Sequence, residues 1–144
     1  MTSNKGFSLI ETLIAIFVVV LSGVGTLKLY SYLEVEKANA LMFTEAKQIA
    51  ESQMALMQTL NTIGSACDGK TVENIQSCVI VLDEDSAYLL TVTPTQTLQH
   101  TPAGGVAATY AKVLDVKVSW DDRNGNAQAL VFPVSVSKFT NLLN

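Results

Sequence analysis

The sequence predicts an α+β fold, in which a long N-terminal helix packs on a small antiparallel β-sheet, and three observations carry that prediction. From Phe7 to Leu27 there are 21 residues with a single charge, Glu11, and as a helix such a run is long enough to cross a bilayer. From Leu27 to about Asn61 no proline interrupts a segment rich in Ala, Leu, Met, Glu, Gln and Lys, so the helix is expected to continue beyond the apolar run. After Cys78 the hydrophobic period changes from near four to two, the mark of strands.

The N-terminal stretch holds the most specific chemistry. An unpaired carboxylate inside an apolar membrane helix costs on the order of a few kcal/mol, so an ionisable residue there is expected to be functional and to have a cationic partner. If the chain is cut between Gly6 and Phe7, the new α-amino group stands at i and Glu11 at i+4, one turn away on the same face. The same amine can instead reach the carboxylate of a neighbouring copy. A secretory signal peptide cut near Gly23-Val24-Gly25 competes with this reading, but Glu11 is unfavourable within its apolar region. A plain single-pass anchor explains the length and leaves the placement of Gly6, Phe7 and Glu11 unexplained.

In the second half of the helix, Ala46, Ile49, Ala50, Met54, Met57 and Leu60 recur at helical spacing, while Glu45, Lys47, Glu51 and Gln58 lie largely elsewhere on the wheel. That stripe is expected to cover the sheet, with the methionines as core filler and not as a binding surface. Gly64 is expected to end the helix. Cys67 and Cys78 follow, with the turn Asp68-Gly69 between them, and predict a short structural disulfide loop. The alternative is a pair of unlinked buried thiols. Two cysteines and the single His100 are too few for a zinc site. Disulfides persist in oxidising compartments, so the domain is expected outside the cytoplasm with the N-terminus inside.

In the strand region, Val79 to Leu82 and Ala87 to Thr93 flank the acidic turn Asp83-Glu84-Asp85-Ser86 and predict a first hairpin. Leu114, Val116, Val118 and Trp120 alternate with Asp115, Lys117 and Ser119, and Leu130, Phe132, Val134 and Val136 alternate likewise across DDRNGN, which predicts a second. Pro133 cannot donate to a ladder, so its strand is expected at an edge or bulged. Between the hairpins, Pro94 to Thr109 is expected to be a long loop, either a contact surface or a mobile connector. Asp121, Asp122, Asn124 and Asn126 invite a calcium reading, but Ala127 stands where such a loop wants glycine and no closing Glu follows. Asn124-Gly125 is better explained as a hairpin turn.

With 144 residues, 49% of them hydrophobic, the chain has room for one membrane helix and one small domain. A net charge of −4 makes it a poor nucleic-acid binder by itself. No phosphate-binding glycine loop, nucleophile elbow or histidine cluster is present, so no enzyme, cofactor or metal is expected.

A short basic leader ending in Gly6, then Phe7, then Glu11 as the fifth residue after the cut, then apolar residues, resembles the N-terminal signature of type IV prepilins and of the pseudopilins of type II secretion. The resemblance implies that a prepilin peptidase cuts after Gly6, methylates the amine of Phe7 and leaves the apolar segment as both anchor and assembly helix, with Glu11 as the assembly carboxylate. It also implies a type IV pilin-like fold divided into a leader (1–6), an N-terminal helix (7–61, with 7–27 as the transmembrane and assembly segment) and a periplasmic sheet domain (62–144). Further along, EAKQIAESQMALM and VKVSWDDRNGN are similar to minor pilins of the PilV kind and minor pseudopilins of the GspI kind. Lys28 stands where many major pilins have a helix-bending proline, and the cysteines lie between helix and sheet instead of bracketing a C-terminal region. The expectation is therefore a minor pilin subunit that helps initiate or joins assembly of a type IV pilus, with a minor pseudopilin of type II secretion as the alternative. A membrane-anchored periplasmic binding module is a third reading. The implied partners are prepilin peptidase, other minor and major pilins and the inner membrane. The chain would cross that membrane once before assembly and lie in the periplasm and the fibre afterwards.

Overall fold

The structure is a computed structural model and describes residues 8–140. One helix, α1, runs unbroken over Leu9–Met57, as the absence of proline predicts. A 3₁₀ turn at Ile75–Ser77 follows, then strands β1 (Leu89–His100), β2 (Ala108–Asp121) and β3 (Ala127–Ser137). They form one antiparallel sheet in the order β1-β2-β3. The chain divides into two compact units, one ending at Ala40 and the other beginning at Leu41, so α1 contributes to both.

In the first unit the apolar side chains of α1 from Leu9 to Leu33 are exposed. Three hydroxyls on this stretch are satisfied from within: Thr12 Oγ1 donates to the Ser8 carbonyl (3.1 Å), Ser22 Oγ to the Val18 carbonyl (2.8 Å) and Thr26 Oγ1 to the Ser22 carbonyl (2.8 Å). Hydroxyls bonded back to the preceding turn remain paired without water, which a lipid environment requires.

In the second unit α1 turns Ala46, Ala50, Gln53 and Met57 into the core. Facing them are Leu114, Val116, Val118 and Trp120 of β2 with Val134 and Val136 of β3, joined by Leu60, Val72, Ile75 and the two cysteines. The small side chains of Ala46 and Ala50 leave room for close packing, and each large apolar group buried there contributes about 1.5–3 kcal/mol. Trp120 meets Phe43 edge-on (centroids 6.4 Å apart) and Tyr88 at a tilt (6.2 Å).

The second hairpin is the predicted one, with Leu114 opposite Val134, Val116 opposite Phe132 and Val118 opposite Leu130. Pro133 sits on edge strand β3 opposite Asp115, without a bulge. Three expectations are corrected. First, α1 ends at Met57 and not at Gly64; Asn61 already adopts a left-handed conformation (φ 67°), and its Nδ2 donates to the carbonyls of Lys138 (3.0 Å) and Thr140 (2.8 Å). An asparagine tolerates this conformation and here gains two long-range acceptors for it.

Second, the hairpin across Asp83 to Ser86 does not form, because residues 79–82 lie outside the sheet and β1 pairs directly with β2. Fully buried Gln53 takes the place of a neighbouring strand: its Nε2 donates to the Cys78 carbonyl and its Oε1 accepts the Ile80 N–H, both at 2.8 Å. Third, most of the expected loop from Pro94 to Thr109 is strand. β1 continues through Pro94 to His100, and only 101–107 connects it to β2. The register shifts between Pro94 and Gln96, where Thr95 instead donates its hydroxyl to the Val113 carbonyl (3.1 Å), and again between Leu98 and Gln99. An edge strand absorbs a missing donor and a bulge at little cost.

Candidate processing and assembly segment

Gly6 and Phe7, the expected processing site, lie outside the described residues. Glu11 stands in the first turn of α1, its N–H bonded to the Ser8 carbonyl at 2.9 Å. A carboxylate there is favoured by the unpaired N–H groups of the helix start. Its surroundings on the helix, Leu9, Ile10, Leu13 and Ile14, are apolar and exposed. Among the described residues no cation lies within ion-pair distance of Glu11. A carboxylate on an apolar, membrane-length helix is thus ready for a partner from outside the described part of the chain.

The Cys67–Cys78 disulfide is formed, with Cα atoms 5.7 Å apart, and both residues are buried. It closes the loop that carries the 3₁₀ turn. Lys112, almost fully buried on β2, holds the same loop to the sheet: its Nζ donates to the Glu73 carbonyl and to Gln76 Oε1 (3.0 Å). Lys112 shares the inward parity of Leu114 and Val116, so strand alternation could have flagged it as a buried cation in need of acceptors.

At the DDRNGN turn the Asp122 carboxylate accepts the N–H groups of Asn124 and Asn126 (2.8 Å each) and the side-chain amides of Asn126 and Gln128. These bonds, that from the Asn126 N–H first, hold the carboxyl below its ordinary range. Its oxygens serve the turn, where Gly125 takes φ 78°. Among the described residues no group of three or more His, Cys, Asp or Glu side chains is placed to hold a metal. His100 lies exposed at the end of β1 beside Tyr110, Lys138 and Phe139.

Sequence reasoning also missed the bond between Tyr88 and the helix. The Tyr88 hydroxyl donates to Glu45 Oε2 at 2.6 Å and lies 3.2 Å from the Met42 carbonyl. Burial first, then the bond to Glu45 and its negative charge, push the phenol up to about 12. Because the folded value is raised above that of the unfolded chain, the Tyr88 contribution to stability is complete below about pH 10 and is lost as the pH rises through about 12. The difference in phenolate absorbance between wild type and Tyr88→Phe should place one transition near pH 12; a transition near 10 would show that the contact to Glu45 does not form in solution.

Residues 1–27 match the family model of the prokaryotic N-terminal methylation motif. No curated protein and no solved structure matches the chain. The matched segment contains Gly6, Phe7, Glu11 and the apolar first part of α1, and it supports a membrane-anchored type IV pilin or pseudopilin.

Proposed function

We propose that the chain is a minor pilin subunit, processed by prepilin peptidase between Gly6 and Phe7, that helps initiate or joins assembly of a type IV pilus. The observation that carries this reading is the methylation motif over residues 1–27, together with one unbroken helix whose apolar part bears a single carboxylate that has no partner among the described residues. Lys28 and the position of the disulfide, between helix and sheet, favour a minor over a main fibre subunit. In this reading the leader is 1–6, the transmembrane and assembly segment is 7–27, and the domain from 62 onward faces the periplasm. Glu11 takes the methylated amine of Phe7, its own or a neighbour's, as counter-ion. The role is structural and not enzymatic, with other pilins as partners. A minor pseudopilin of type II secretion would carry the same motif and the same helix.

The test is the mass of the mature chain in cells with an active prepilin peptidase. The expected N-terminus is a methylated Phe7. An intact leader, or an N-terminus near Val24 as a secretory signal would give, would overturn the reading. Deleting the chain then separates the two assemblies: loss of surface pili supports the pilus, and loss of secreted substrate with normal pili supports the secretion system.

A further inference from the structure

The segment Val79-Ile80-Val81-Leu82 has the composition of a strand and no place in the sheet. In an extended chain the carbonyl of one residue and the N–H two residues on point to the same side, and Gln53 occupies that pair at Cys78 and Ile80. The N–H and carbonyl groups of Val79 and Val81 therefore belong to the opposite edge. Among the described residues they have no hydrogen-bond partner. Val81 is also 94% exposed, the highest value of any large apolar side chain described. Exposed β-branched side chains beside a free backbone edge template the addition of a strand.

The surroundings specify the kind of strand. Ile80 and Leu82 line a cleft of about 410 Å³ toward the start of β1 and a groove of about 420 Å³ toward Glu45 and Ile49 of α1, so apolar side chains have room on either flank. Immediately downstream Asp83, Glu84 and Asp85 are all exposed, and no cation pairs with them among the described residues. A second copy of this chain would bring its own acidic run and its net charge of −4 to the contact. We infer that residues 79–82 are a docking edge for an extended strand of a different protein, one that alternates apolar residues and carries a lysine or arginine against Asp83 to Asp85. The inference does not depend on whether the chain serves a pilus or a secretion apparatus.

The full chain in detergent micelles is titrated with a fluorescent ten-residue peptide that alternates valine and threonine and ends in lysines. The expected result is saturable binding that slows hydrogen–deuterium exchange at the Val79 and Val81 amides. Replacing the terminal lysines by glutamates should weaken binding about tenfold at low salt, an effect that salt reduces. Val81→Pro, which removes one docking donor at a position outside every ladder, should also weaken it about tenfold. Should that variant fail to fold, Glu84→Lys, which lies in an exposed turn, must weaken binding instead. Absence of binding, equal binding of both peptides, protection confined to β3, or a concentration-dependent dimer of this chain protected at 79–82 would each overturn the proposal.

Discussion

Replacing Glu11 by alanine is expected to abolish assembly while leaving membrane insertion and folding intact. The substitution removes the single charge from the apolar run, so insertion becomes easier by on the order of a few kcal/mol. Folding should be unaffected, because the Glu11 side chain bonds to none of the described residues and the buried core begins at Ala46. Only a partner outside the described part of the chain can then feel the change. In the proposed function that partner is the amine exposed by cleavage, on this subunit or on the one entering below it. An unpaired amine in hydrocarbon is as costly as an unpaired carboxylate, so the mutant loses the exchange of partners that draws a subunit out of the membrane. The count of pili on cells expressing Glu11→Ala in place of the wild type, with crosslinking to other pilins, reads the effect. Normal piliation and undiminished crosslinking, with a correctly processed N-terminus, would show that Glu11 has no part in assembly.

Legibility in the sequence followed the range of the interactions. The helix was legible because its cause is local: no proline for some fifty residues and a stripe that repeats every turn. The β2–β3 hairpin was legible because alternation and the Asn124-Gly125 turn act within one short stretch. Residues 79–82 were not, since their composition calls for a strand and the decision lies with Gln53, which precedes Ile80 by 27 positions. β1 was cut short for the opposite reason. Pro94 suggests a break, and only its place on an edge allows the strand to run through. Of the site, the N-terminal signature was legible through its resemblance to known prepilins and the cysteine pair through its short spacing, whereas the Tyr88 bond to Glu45 depends on a sequence separation of 43.

The disulfide is expected to contribute the second large effect. Loop-closure entropy for a loop of this size amounts to about 3 kcal/mol, and both ends of this loop lie in the core of the second unit. Cys67 follows the turns that end α1, and Cys78 is the residue whose carbonyl Gln53 holds, so the bond joins the end of the helix to the segment the helix already grips. Without it, the anchors of that segment are Gln53 and, through the loop, Lys112. The double variant Cys67→Ala/Cys78→Ala avoids burying hydroxyls and should lower the unfolding temperature of the second unit by about 12–24 °C, the equivalent of about 3 kcal/mol in a domain near 100 residues. Wild type in reductant should fall to the same temperature, and the variant should not respond to reductant at all. Circular dichroism at rising temperature, with alkylation to confirm free thiols, measures both. An unfolding temperature unchanged once the thiols are free would mean that the helix-to-sheet connection is held by Gln53 and Lys112 without help from the bond.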